Sequence, residues 1–269
     1  MIPTPGDASA LRVAVEPTRD PHLVAAVEGA GGTVVSLDDC RTWTNASGFY
    51  SRGVAEHALT LLLAGTRQVV RSAHTRWAMD TVDPAVRTLR GASVAIIGAG
   101  GIGRELVPLL TACGARTLAV TRSGRPVEGA ALTAPAERTE EVLAQADHVV
   151  LAAPDTPETR HLINDHTLAL LRPHSWIVNV ARGPLIDHAA LYRALTTGLI
   201  GGAALDVTDP EPPAPDDPLF GLDNVVITPH VANPAGRLTE EMAGPLAENL
   251  RRFVAGEDLL SVVEYGRGY

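Results

Sequence analysis

Nothing constrains this chain more than the stretch SVAIIGAGGIGRELV, from Ser93 to Val107. Its first part is a continuous apolar run, the pattern of a strand covered on both faces. The run stops at Gly98, Gly100 and Gly103, spaced G-x-G-x-x-G, and passes into a helical pattern. Each glycine has a physical reason: a tight turn, room for a charged group against the backbone, and close packing of helix on strand. Gly101, Ile102 and Arg104 fill the first turn of that helix, whose N-terminal N–H groups and dipole favour an anion. Strand, glycine turn and helix together predict a pyrophosphate cradle, and hence a bound dinucleotide.

The same alternation continues downstream. RTLAVT, DHVVLAAP, SWIVNVAR, GAALDV and NVVITPH read as further strands, with TEEVLAQA, NDHTLALLRP and DHAALYRALTTG as helices between them. Apolar strands separated by short helices make a doubly wound parallel sheet, an α/β fold of Rossmann type. Before it lie one strand (LRVAVE), one helix (PHLVAAVEGAG), one strand (TVVSL) and a long helical pattern from Gly53 to Trp77. The C-terminal helix LTEEMAGPLAENLRRFVAG is placed to return to that first module. The expected organisation is a smaller α/β substrate (lid) domain, 1–76 with 242–269, into which a dinucleotide-binding domain, 77–241, is inserted.

Composition removes other classes of function. There are 22 basic and 31 acidic residues, a formal net charge of -9, which argues against nucleic acid or an anionic membrane as partner. Every one of the 22 is arginine, so neither a Schiff base nor a P-loop lysine is available. Cys40 and Cys113 form no C-x-x-C pair, and the first residues carry neither a basic nor an apolar leader segment. ALTLLLAG is too short to span a bilayer. A reduced, cytoplasmic protein is expected.

The end of the second strand of the sheet should distinguish between dinucleotides. A carboxylate there would hold a ribose 2′-OH. Here the chain reads Thr121, Arg122, Ser123, with Arg125 close behind and no carboxylate before Glu128. Two guanidiniums suit a 2′-phosphate, and each charge-assisted bond contributes about 1.5–3 kcal/mol. NADP(H) is therefore expected in preference to NAD(H).

Three further strand ends carry polar residues: Arg182 in IVNVARGPLIDHAAL, Asp206 and Glu211 in GGAALDVTDPEPPAPDDPLF, and His230 in NVVITPHVAN. With the glycine motif, VAEHALTLLLAGTR and the terminal ENLRRFVAG, these resemble the D-isomer-specific 2-hydroxyacid dehydrogenases, among them the glyoxylate/hydroxypyruvate reductases, from about Asn45 to Tyr269. The resemblance implies hydride transfer between a nicotinamide and a 2-keto acid or D-2-hydroxy acid. It implies that Arg182 grips the substrate carboxylate, that His230 exchanges the proton, and that Glu211 orients the His230 ring and favours its imidazolium. Asp206 would contact the nicotinamide carboxamide, and Pro154 would lie alongside the coenzyme. Family members pair through the region of the long helix, so a homodimer is expected. His57, beside Glu56 in that helix, reads as structural, and no metal-ligand pattern is present.

The chain departs from the family in one place. Only about ten residues separate Val35 from Asn45, where the family has further strands of its outer domain. Each strand-and-crossover step takes roughly 30 residues, so a truncated, flavodoxin-like lid is expected. Two possibilities remain open at this level: an NADPH-dependent 2-keto acid reductase, and a dinucleotide-binding sensor or scaffold with little turnover.

Overall fold

The structure, a computed structural model, describes residues 12–13, 21–29, 33–34, 44, 48–75, 77, 79–233 and 235–262. It divides into two compact units, Met1–Tyr50 with Asn233–Tyr269 and Ser51–Ala232.

In the first unit, β1 (Arg12–Val13) pairs in parallel with β2 (Thr33–Val34), and α1 (Pro21–Gly29) lies between them in sequence. Val27 of α1 and Leu250 of the C-terminal helix (Ala235–Ala255) are buried together, with Val13, Val34, Leu246 and Phe253 against them. The C-terminal helix thus packs on α1 within this unit. The short join between Val35 and Trp43 lies outside the described residues.

The second unit opens with α2 (Ser51–Thr66), then α3 (Val69–His74) and α4 (Met79–Val82). Val54, Ala58, Leu61 and Gly65 form one helical stripe, and all are buried. That face packs on α5 (Gly101–Ala112) and on β7 (Trp176–Asn179), β8 (Gly202–Leu205) and β9 (Val225–Ile227). The expected boundary at residue 76 is therefore displaced: α2 buries its apolar stripe on the large sheet and belongs to its unit. The expected single helix to Trp77 is also corrected. Gln68 adopts a left-handed conformation (φ 54°), and its Nε2 donates to the Gly65 carbonyl, which closes α2 and starts α3 afresh.

The sheet itself has seven parallel strands in the order β5-β4-β3-β6-β7-β8-β9. The four not yet defined are β3 (Ser93–Ile97), β4 (Arg116–Thr121), β5 (Leu132–Pro135) and β6 (His148–Leu151). All four residues of β6, β7 and β8 are buried, as continuous apolar strands under helices must be. β5 is an element the hydrophobic pattern did not announce; it pairs with β4 at the edge, where a short strand needs only one partner. The remaining helices, α6 (Thr139–Leu143), α7 (Asp165–Leu168) and α8 (His188–Thr196), carry the crossovers. Because β3 is flanked by both β4 and β6, the winding reverses beside it, and such a reversal is where open α/β sheets place a ligand crevice at the carboxyl ends of their strands.

Candidate active site

The glycine turn follows β3 at that point of reversal. Gly98 has φ 88°, and a Cβ on it would stand 2.4 Å from Ala153 Cα, so the turn can be made there only without a side chain. At Gly100, in contrast, nothing lies nearer to a notional Cβ than the Gly98 oxygen at 3.9 Å. Gly100 is also the N-cap of α5, and no side chain caps that helix end. Open space over uncapped N–H groups fits a pyrophosphate, and Gly101, Ile102, Gly103 and Arg104 form the helix turn beneath it.

At the tip of β4 the chain makes a second tight turn. Gly124 (φ 73°) sits between Arg122 and Arg125, and the Gly124 N–H donates to the Thr121 carbonyl at 3.4 Å. The Thr121 hydroxyl donates to the Arg125 carbonyl at 3.3 Å, and Ser123 bridges to Pro135 of β5. Arg122, Ser123 and Arg125 are exposed on this turn. Pro154 follows β6, exposed, and its carbonyl accepts from the Thr159 hydroxyl at 2.6 Å.

The three neighbouring strands carry the remaining candidates. After β7, the buried Asn179 side chain closes a turn on itself: Nδ2 donates to the Arg182 carbonyl (2.9 Å) and Oδ1 accepts from the Ala181 N–H (3.0 Å). Arg182 is thereby presented at the strand end, and its Nη1 rests on the Ala181 carbonyl at 2.5 Å. Gly183 then passes against the loop after β8, so closely that a Cβ would meet the Thr208 oxygen at 1.9 Å.

After β9 the chain turns at His230, whose φ of 52° is a strained, left-handed value for a residue with a side chain. Its Nδ1 lies 2.6 Å from Glu211 Oε1, and both side chains remain about half exposed, at 50% and 41%. With Nδ1 engaged by the carboxylate, Nε2 is the nitrogen left to exchange a proton. Asp206, at the end of β8, is buried, and its carboxylate takes the Thr228 hydroxyl (2.5 Å) and the N–H groups of Val231 and Ala232 (both 3.0 Å). Every candidate thus stands at the carboxyl edge of one parallel sheet, which is where open α/β sheets bind ligands.

Residues 59–232 match the family model for the D-isomer specific 2-hydroxyacid dehydrogenase NAD binding domain. The chain belongs to the D-isomer specific 2-hydroxyacid dehydrogenases. These are oxidoreductases that bind a nicotinamide coenzyme, and the seven-stranded parallel sheet is their Rossmann-type fold. A crystal structure of a D-isomer specific 2-hydroxyacid dehydrogenase from Xanthobacter autotrophicus Py2, in complex with NADPH and MES, is similar with TM-score 0.74 and 33% identity, covering 85% of this chain and 94% of that one. Among curated proteins, an uncharacterized protein of Corynebacterium melassecola is 43% identical over 84% of this chain and 76% of its own length. Glyoxylate reductase from Pyrococcus furiosus is 35% identical over 80% of this chain, which spans 66% of that enzyme.

In this dehydrogenase fold three residues stand out that the sequence motifs did not mark for the site. Asn179 and Thr228 hold the turns that carry Arg182 and His230. A polar residue ending a buried strand, as Asn179 does, is a signal that could have pointed to it. The third is His57, whose Nε2 comes within 3.2 Å of Asp206 Oδ1. No helix among the described residues is long and apolar enough to cross a membrane.

Proposed function

We propose that this protein is an NADPH-dependent reductase of 2-keto acids, working in reverse on D-2-hydroxy acids. The observation that carries the reading is the 2.6 Å contact of His230 with Glu211 beside the Arg182 turn. A protein that only bound a dinucleotide would have no use for a histidine held by a carboxylate at this edge.

When bound, the nicotinamide coenzyme supplies the hydride. The chain's own residues do the rest. Arg182 grips the substrate carboxylate with its planar fork and draws charge towards the carbonyl oxygen. His230 gives its Nε2 proton to the oxygen as the alcohol forms, and takes it back in oxidation. Glu211 holds the ring in one orientation throughout. Gly98, Gly100, Gly101, Ile102, Gly103 and Arg104 would cradle the pyrophosphate, Pro154 would flank the coenzyme, and Asp206 would stand near the carboxamide.

Preference for NADP(H) over NAD(H) is supported by Arg122 and Arg125 on one turn, with Thr121 and Ser123 adding hydroxyls and no carboxylate before Glu128. The Xanthobacter relative was itself solved with NADPH. The absence of a C-x-x-C pair is in keeping with a cytoplasmic setting. The decisive experiment is loss of NADPH absorbance with glyoxylate, hydroxypyruvate, pyruvate and bulkier 2-keto acids. With so short a join after Val35, we expect turnover with a high KM. NADPH binding without turnover of any of them would overturn the reductase in favour of a sensor or scaffold.

A further inference from the structure

His57 lies on α2, in the middle of the helix, among the buried apolar residues Val54, Ala55, Ala58, Leu61 and Leu62. Its Nε2 is 3.2 Å from Asp206 Oδ1 and 3.0 Å from Thr228 Oγ1. The Asp206 side chain is 1% exposed, so its carboxylate is held mainly by hydrogen bonds from the protein. Three of its donors come from the segment after β9: the Thr228 hydroxyl and the N–H groups of Val231 and Ala232. The same segment returns a bond to the backbone, His230 N–H to the Asp206 carbonyl at 2.9 Å. His57 is the donor that comes from elsewhere.

The hydrogen positions follow from counting. Thr228 has one hydroxyl proton, and the 2.5 Å approach gives it to Asp206. Thr228 Oγ1 therefore turns a lone pair to His57, and Nε2 must carry hydrogen, shared between that lone pair and Oδ1. This bond joins α2 to the segment on which His230 sits in its left-handed conformation. Without it, a buried carboxylate oxygen loses a donor, and the turn it anchors loses part of what holds a strained residue in place.

We propose that His57 is a positioning residue for the proton donor, acting through the Thr228–Asp206 pair to hold the turn at His230. The inference rests on reading His230 as the proton donor. Its role is to keep Nε2 of His230 where a substrate oxygen can reach it, without touching substrate itself.

The test compares wild type with His57→Leu, which fills similar space without a donor, and His57→Gln, which keeps an N–H. Hydrogen exchange of the Val231 and Ala232 amides is followed beside that of Ile96 and Val150 in β3 and β6. Loss of one charge-assisted bond should speed exchange at Val231 and Ala232 by about tenfold or more in His57→Leu. Ile96 and Val150 should be unchanged, and His57→Gln should recover most of the protection. With a 2-keto acid that the wild type reduces, kcat should fall in His57→Leu while KM changes little. Equal exchange in wild type and His57→Leu overturns the proposal, as does a uniform rise that includes Ile96 and Val150. The exchange comparison needs no substrate, so a wild type that reduced no 2-keto acid would remove the reductase reading and leave this test intact.

Discussion

His230 Nδ1 and Glu211 Oε1 lie 2.6 Å apart, although nineteen residues and a proline-rich loop separate them in the chain. The distance is that of a strong, charge-assisted bond, and it engages Nδ1 with the carboxylate, which leaves Nε2 for the proton transfer proposed above. His230→Ala should therefore lower kcat by about 10²–10⁴. Calorimetry should find NADPH binding preserved. A variant with near-normal turnover would refute His230 as the proton donor.

The turn at the tip of β4 offers a cleaner separation of coenzymes. Arg122→Ala should weaken NADPH by about tenfold or more, the value of one charge-assisted bond, and leave NADH nearly untouched. Parallel titrations with the two coenzymes measure this directly. Equal losses for both would mean that Arg122 does not read the 2′-phosphate.

Gly183 tests the fit between two strand ends. A Cβ there would meet the Thr208 oxygen at 1.9 Å and its carbonyl carbon at 2.1 Å, both backbone atoms that cannot rotate away. Gly183→Ala should cost about 1–3 kcal/mol of stability, the usual penalty of overpacking. It should also reduce kcat, because Arg182 and the loop bearing Glu211 are pushed apart. A thermal melt and a turnover assay on the same preparation would detect both, and an unchanged melt would show that the loops yield.

His148 predicts how stability changes with pH. Its side chain is buried, and burial, with the positive His174 and Arg87 nearby, pushes its pKa down to about 4 against the pull of Asp147. The folded state thus resists a proton that the unfolded chain accepts near pH 6.5. Stability should be fully present above about pH 6.5 and fall as pH drops towards 4, by about 3 kcal/mol in all. Asp147 acts in the same direction at lower pH: burial raises its pKa, but the Ser93 N–H, His174 and Arg172 outweigh that and hold it below its usual value. Urea unfolding across this range should show the decline. His148→Asn keeps an acceptor for the Trp176 N–H, which now donates to His148 Nδ1 at 3.2 Å, and should flatten it. An identical slope in the variant would assign the pH dependence elsewhere.

A homodimer is the expected assembly, and only part of the region expected to support it is exposed. Val54, Ala58, Leu61 and Leu62 of the long helix are buried within their own unit. Val69, Trp77 and Met79 are the large apolar side chains left exposed in this region, at 54%, 95% and 66%. Light scattering at micromolar concentration should give twice the chain mass of 28.2 kDa. Trp77→Arg should shift it towards the monomer. A monomeric wild type would refute pairing.

The sequence alone announced the parallel sheet, the glycine turn after β3 and the guanidiniums at the tip of β4, while Arg182, Glu211 and His230 were proposed for the site through the resemblance to the family. The first three are local signals: an apolar run, a glycine where φ must be positive, charged residues just past a buried strand. The break at Gln68 was not legible, because the apolar spacing of α2 runs on past it and a left-handed residue other than glycine leaves little trace in composition. β5 escaped because its partner, β4, is what makes Leu132–Pro135 a strand. His57 reads as an ordinary polar position on a helix, and only the order of strands in the sheet brings it to Thr228, 171 residues away. Which helix the sheet buries, and which buried carboxylate that helix then satisfies, is decided by packing between segments remote in sequence, and no local pattern encodes it.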